Sequence, residues 1–187
     1  MRRLSKKSPV SACGGCNVVF YCGTAHQSHD RKEHRATCTK IKATREKLGY
    51  EEATLWARPG DFMLPAGAFT NGVGNFWGIL DTRDNMRTRF AAADALLKVD
   101  NDIVVVKDSL DHFMDILRLC RSDNLSLREI VPGLLLRLDR EQEFYDFIKL
   151  WTTTDDEVTI MDYTARAIQH CLISTPAVPM PLSPSKI

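Results

Sequence analysis

The sequence predicts a mainly α fold: a small N-terminal module of a short hairpin plus a helix, then a helical body of α-hairpins. Three observations carry this. From residue 84 onward apolar residues recur at intervals of three and four, the spacing of one helix face. Four of the six cysteines and three of the five histidines fall within residues 13–38, in pairs with two or three residues between them. Glycine and proline gather between these regions and at the end of the chain, where they exclude long helices.

Composition sets the outer bounds. At 187 residues the chain is one ordinary domain plus a small module. Its 44% hydrophobic and 26% charged residues are those of a globular chain. It contains no apolar run of the roughly 18 residues that a membrane span needs, so no membrane partner is expected. Residues 1–8 are basic but lack the apolar core of a secretory signal. Cysteines spaced as short pairs favour metal over disulfides. That places the chain in a reducing compartment, cytoplasm or nucleus.

The first element is the stretch CGGCNVVFYCGTAHQSHDRKEHRATC, Cys13 to Cys38. Its donors pair as Cys13-x2-Cys16, Cys22-x3-His26 and His34-x3-Cys38. Zn²⁺ prefers four S/N donors in a tetrahedron, and short pairs let one turn supply two corners. A CxxC knuckle offers two thiolates from one tight turn, which Gly14 and Gly15 suit. Donors at i,i+4 point off one helix face. Residues 17–21, NVVFY, are β-branched and aromatic and predict one arm of a small hairpin. Residues 24–48 predict a helix with a break near Cys38, Thr24 as its N-cap and Gly49 as its stop.

Residues 49–82 are irregular, with Gly60, Gly67, Gly72, Gly74, Gly78, Pro59 and Pro65. Trp56, Phe62, Phe69, Phe76 and Trp77 make this stretch too apolar for a free linker, and it is expected to cover the helical body. Helices follow over 84–98 and 103–121, carrying Met86, Phe90, Ala93, Leu97 and Ile103, Val106, Leu110, Leu117. Ser126 is the expected cap of a third segment, to about 138, with Pro132 marking a first turn or kink. Asp139 and Gln142 resemble a capping box before a fourth helix, 140–153, with Phe144, Phe147, Ile148 and Trp151. A fifth spans 158–173, with Asp155, Asp156 and Glu157 at its start. Residues 174–187 hold four prolines and read as an extended tail. The expected units are therefore 11–40, a finger; 41–83, an irregular connector; 84–173, a helical domain; and 174–187, the tail. The helix pairs are similar to a tetratricopeptide array.

The segment 13–38 resembles a MYND-type zinc finger, of the kind found in fungal MYND-domain-containing proteins. Tyr21-Cys22, Gln27, Asp30 and His34-x3-Cys38 fall in register with that family. Residues 112–151 also resemble the helical region that follows the finger in a group of fungal MYND proteins. The resemblance implies two interleaved zinc sites. It assigns Cys13, Cys16, His34 and Cys38 to a complete one and only Cys22 and His26 to the other. His26 stands where the family usually has Cys, and Arg31 where it usually has an aromatic. The first CxxC of the family is missing: residues 1–12 contain no Cys, His, Asp or Glu. His29 is a candidate third donor beside Cys22 and His26.

A closed Cys3His zinc leaves no coordination position for water or substrate, so the reading is a non-enzymatic protein–protein interaction module, with a regulatory role in view. Its cofactor is Zn²⁺ and its partner a protein. MYND fingers often dock peptides with a Pro-Leu-x-Pro core, and residues 181–184, Pro-Leu-Ser-Pro, make a proline-rich peptide one candidate. One alternative is a fragment of a SET/MYND-type lysine methyltransferase, although the chain shows neither a SET signature nor a cofactor glycine motif. The other is a nucleic-acid-associated transcriptional regulator. Residues 1–48 carry 11 Lys/Arg against 3 Asp/Glu, a balance of +8, and the remainder carries 14 against 21, a balance of −7. His112 with Asp108, Asp111 and Asp115 is expected to be a solvent face, and Cys120 and Cys171 ordinary thiols.

Overall fold

The computed structural model describes residues 10–99 and 103–153. Strand β1 (Ser11–Ala12) pairs antiparallel with β2 (Phe20–Tyr21), Ser11 opposite Tyr21. The turn between them is the CxxC knuckle, closed by bonds from Cys13 N–H to Val19 C=O and from Asn17 N–H to Cys13 C=O, each 2.8 Å. Asn17 turns the chain with φ +54°, a left-handed conformation that Asn tolerates better than most residues.

Helix α1 (Thr24–Ala57) is 34 residues long, about 51 Å at 1.5 Å per residue. The expected break near Cys38 and stop at Gly49 are not there, and residues 49–57 are helical rather than irregular, so the helix runs well into the expected 41–83 connector. The reason lies in α1's buried residues, Ile41, Leu48 and Leu55, which follow one another at seven-residue intervals. Seven residues are nearly two turns, so these side chains share one face. A Gly at an exposed helix position costs only about 1 kcal/mol, less than burying Leu48 and Leu55 returns. Thr24 is not the cap: Gly23 holds that position and no side chain bonds the first turn.

Four helices follow, close to the expected bounds: α3 (Arg83–Leu96), α4 (Ile103–Leu119), α5 (Leu127–Arg137) and α6 (Glu141–Thr153). α1 packs on α3, and each helix from α3 onward packs on the next. Their shared core includes Met86, Leu110, Phe113, Leu117, Leu127 and Val131. The expected fifth helix, the proline-rich tail with residues 181–184, and Cys171 lie outside the described residues.

Two expected caps are replaced. Ser126 sits at φ +56° and makes no side-chain cap bond. Asp123 caps α5 instead, accepting from Leu127 N–H at 2.7 Å and Arg128 N–H at 3.0 Å. At the other end Arg140 N–H reaches Leu135 C=O and Asp139 N–H reaches Leu136 C=O, at 3.0 and 3.2 Å. This is the Schellman closure, with Asp139 at φ +54° where Gly is usual. α5 runs through Pro132 as one helix, held by buried Leu127 and Val131 before the proline and Leu134 and Leu135 after it.

Residues 58–82 dock on the body as expected. They contain one helical turn, α2 (Ala68–Asn71), and two 3₁₀ turns. Phe76 and Leu64 are buried. Phe69 contacts Trp56 and Phe76, with ring centroids 5.1 and 5.3 Å apart. Two of the aromatics stay exposed: Phe62 fully, and Trp56 in large part despite its contact with Phe69.

The His112 face is also corrected. Asp108 and Asp111 are exposed, but His112 and Asp115 are half-buried. Asp115 pairs with Arg89 of α3 at 2.5 Å and with Arg118 at 2.7 Å. Arg89 also reaches Glu52 of α1, so the cluster ties three helices together. Burial, reinforced by the Arg89 charge, lowers His112 to about 4 despite Asp115, so the ring is neutral at pH 7.

Candidate metal centre

The knuckle places Cys13 and Cys16 at the base of the hairpin, and both are buried. α1 brings His34 and Cys38 against them from its third and fourth turns. His34 lies seven residues before Ile41, on the line of α1's buried residues, so the contacts that dock the helix also aim the imidazole inward. Cys38 lies seven residues before Arg45, whose guanidinium donates to the Cys16 carbonyl and ties the knuckle to the helix.

The donor atoms of Cys13, Cys16, His34 and Cys38 all lie within 4.8 Å of one another. Cys13 Sγ is 3.7 Å from Cys38 Sγ, and Cys16 Sγ is 3.4 Å from His34 Nε2. A tetrahedral zinc with Zn–S of about 2.3 Å and Zn–N of about 2.0 Å needs S···S edges of about 3.8 Å and S···N edges of about 3.5 Å. Those two edges are already set for zinc, and three soft sulfurs with one imidazole suit its chemistry. With these four donors in place, no position stays open for a substrate.

The surroundings hold the donors in position. A Cβ on Gly15 would lie 2.7 Å from Cys38 Sγ, whereas one on Gly14 would meet nothing. Of the two glycines that suit the knuckle, only Gly15 is required by its surroundings. Tyr21 is buried, its ring edge-on to His34 with centroids 6.2 Å apart. Its hydroxyl donates to Asp30, and burial together with that bond pushes the phenol above its ordinary value.

The thiols are not alike. Burial pushes Cys13 up, but the backbone N–H groups of Cys16 and Gly15, then His34 and Cys38, bring it down to about 6. Cys38 rises to about 11, from burial first, then its bond to Cys13 and the charge of Cys16. One proton on Cys38, shared toward a Cys13 thiolate, accounts for both directions. A dication held by these donors would replace that proton.

Cys22 and His26 stand apart from this cluster. Both are exposed, and Cys22 Sγ lies 2.6 Å from His26 Nδ1. Among the described residues no third donor joins them, His29 included. Sequence reasoning did not single out Arg45, because its partner is a backbone carbonyl 29 residues earlier and carries no motif. It noted Asp30 only as a position in register.

No described helix is long and apolar enough to cross a membrane. Neither a curated protein nor a solved structure matches the chain. The family model of the MYND finger does match, over residues 3–38, the stretch that holds all four clustered donors, and match and cluster together are consistent with Zn²⁺ binding.

Proposed function

We propose that this chain is a non-enzymatic zinc-binding module whose finger and adjoining helices hold a partner protein inside the cell. The observation that carries the reading is the convergence of Cys13, Cys16, His34 and Cys38. That donor set takes up every position of a tetrahedral ion, so the metal's work is to fold the finger rather than to activate a substrate. MYND fingers are in general protein-interaction modules, and the match over residues 3–38 supports the same use here.

Native mass spectrometry of the full chain tests the metal half of the reading. The expected result is zinc bound by the wild-type chain at a full equivalent and lost on Cys16→Ser. Retention of the same zinc by the variant contradicts the assignment. A second equivalent, lost on Cys22→Ser, shows the Cys22–His26 pair recruiting further donors. The non-enzymatic half fails if calorimetry detects S-adenosylmethionine binding, the mark of a methyltransferase fragment.

A further inference from the structure

A groove of about 450 Å³ opens directly onto the metal centre, lined by its Cys13, His34 and Cys38 as well as by the Gly14–Gly15 knuckle and the first half of α1. Its helical wall carries Arg31, Arg35 and Lys42, spaced four and seven residues apart and therefore on one face. All three are exposed. No Asp or Glu lines the groove.

These arginines differ from those of the body. Arg58, Arg89, Arg118 and Arg140 each pair with a carboxylate at 2.5–2.9 Å. Among the described residues no carboxylate pairs with Arg31 or Arg35, and Lys42 has only an exposed Glu46 at 3.8 Å. The loaded metal centre would absorb only part of their charge. Three thiolates and a dication sum to −1, which leaves an excess of about two positive charges in the groove.

We propose that this groove binds an acidic peptide segment of a partner protein, with Arg31 and Arg35 as the carboxylate-binding residues. A guanidinium presents a planar fork that matches a carboxylate with two parallel bonds. Residues i and i+4 on a helix have Cβ atoms about 6 Å apart, close to the roughly 6.6 Å between the same-face side chains i and i+2 of an extended acidic chain. In the same lining the Gln27 amide supplies donors and an acceptor for the peptide backbone, and the Thr39 hydroxyl, which donates to Arg35 C=O at 2.9 Å, supplies an acceptor. Duplex nucleic acid fits less well. Three cations spread over about 16 Å of helix sit in a concave slot, whereas duplex binders engage about 6–10 phosphates. This inference rests on the interaction-module reading and gives that module's partner a chemistry.

The test uses the zinc-loaded full chain and a fluorescein-labelled peptide of alternating Asp and Glu, read by anisotropy at physiological salt. Comparison probes are the matching Asn/Gln peptide and a single-stranded oligonucleotide of equal charge. Arg31→Glu and Arg35→Glu are each expected to weaken the acidic peptide at least about fivefold. Lys47→Glu, an exposed cation of α1 outside the groove, is expected to change it less than about twofold. Amide shifts on titration are expected at Gly14, Gly15 and residues 27–42. Zinc content is measured in every sample, so loss of the metal, which defeats the module reading, is distinguished from failure of the groove. The proposal is overturned if the zinc-loaded chain does not bind the acidic peptide, or if all three variants lose affinity equally. It is likewise overturned if the oligonucleotide binds more tightly, or if sedimentation shows the groove occupied by a second copy of the chain.

Discussion

Around the helical body's part of α1, 18 buried apolar residues form one core among the described residues. Around the finger's part only eight do, and three of those, Ala95, Leu96 and Val105, belong to α3 and α4. The finger itself supplies Cys13, Cys16, Val18, Tyr21 and Ile41, two of which are metal donors. One continuous helix is thus held in two ways, by packed hydrocarbon near Leu55 and by four polar donors near His34. The comparison teaches where each part is vulnerable. The body depends on volume and helix caps, and the finger on an ion that the unfolded chain cannot hold in this geometry.

Removing the ion should therefore divide the molecule. A structural zinc contributes about 10–16 kcal/mol of apparent binding energy near neutral pH. We expect a chelator, or Cys38→Ser, to abolish the ordered amide shifts of residues 11–38 while the α3–α6 signals stay dispersed and the body's thermal transition persists. Collapse of both regions together would show that the finger is not the separately stabilised part.

Acid should act on the finger first as well. Cys38 is raised to about 11, so without metal its thiol is protonated at neutral pH, and binding must expel that proton. Zinc affinity should thus rise with pH, by about tenfold per unit for each proton released. Below about pH 6 Cys13 also takes up a proton, and the slope steepens. Competition titrations with a chromophoric chelator across pH 5–8 check this, and a flat profile would contradict it.

Gly15→Ala should weaken zinc binding at least about tenfold, because its Cβ falls 2.7 Å from Cys38 Sγ, while Gly14→Ala should not. Equal effects in the same titration would remove the steric argument.

The smallest changes belong to the body. Asp123→Ala removes two cap bonds and should cost about 1–2 kcal/mol in denaturant melts. Asp139→Gly relieves a left-handed residue and should add up to about 1 kcal/mol. Neither should alter zinc affinity, and a change in it would show the two regions to be coupled.

The donor set and most of the helical body were legible in the sequence because both rest on local spacing: CxxC, Hx3C, and apolar residues at three and four. What was missed rests on a longer repeat, on a partner in another helix or on the exact place of a cap. The seven-residue line His34, Ile41, Leu48, Leu55 runs straight past Gly49, and reading it as a continuous face would have carried α1 to Ala57. The His112 cluster looked like a solvent face because its cation, Arg89, lies on another helix. Ser126 is a better cap by type than by place, and Asp123, three residues earlier, reaches the free N–H groups. The finger was more legible than its connector because metal donors announce their spacing, whereas irregular docking leaves none.

X-ray absorption at the zinc edge of the metal-loaded full chain tests the central claim most directly. The account predicts a first shell of three sulfurs at about 2.3 Å and one nitrogen at about 2.0–2.1 Å. A shell dominated by nitrogen or oxygen would contradict it.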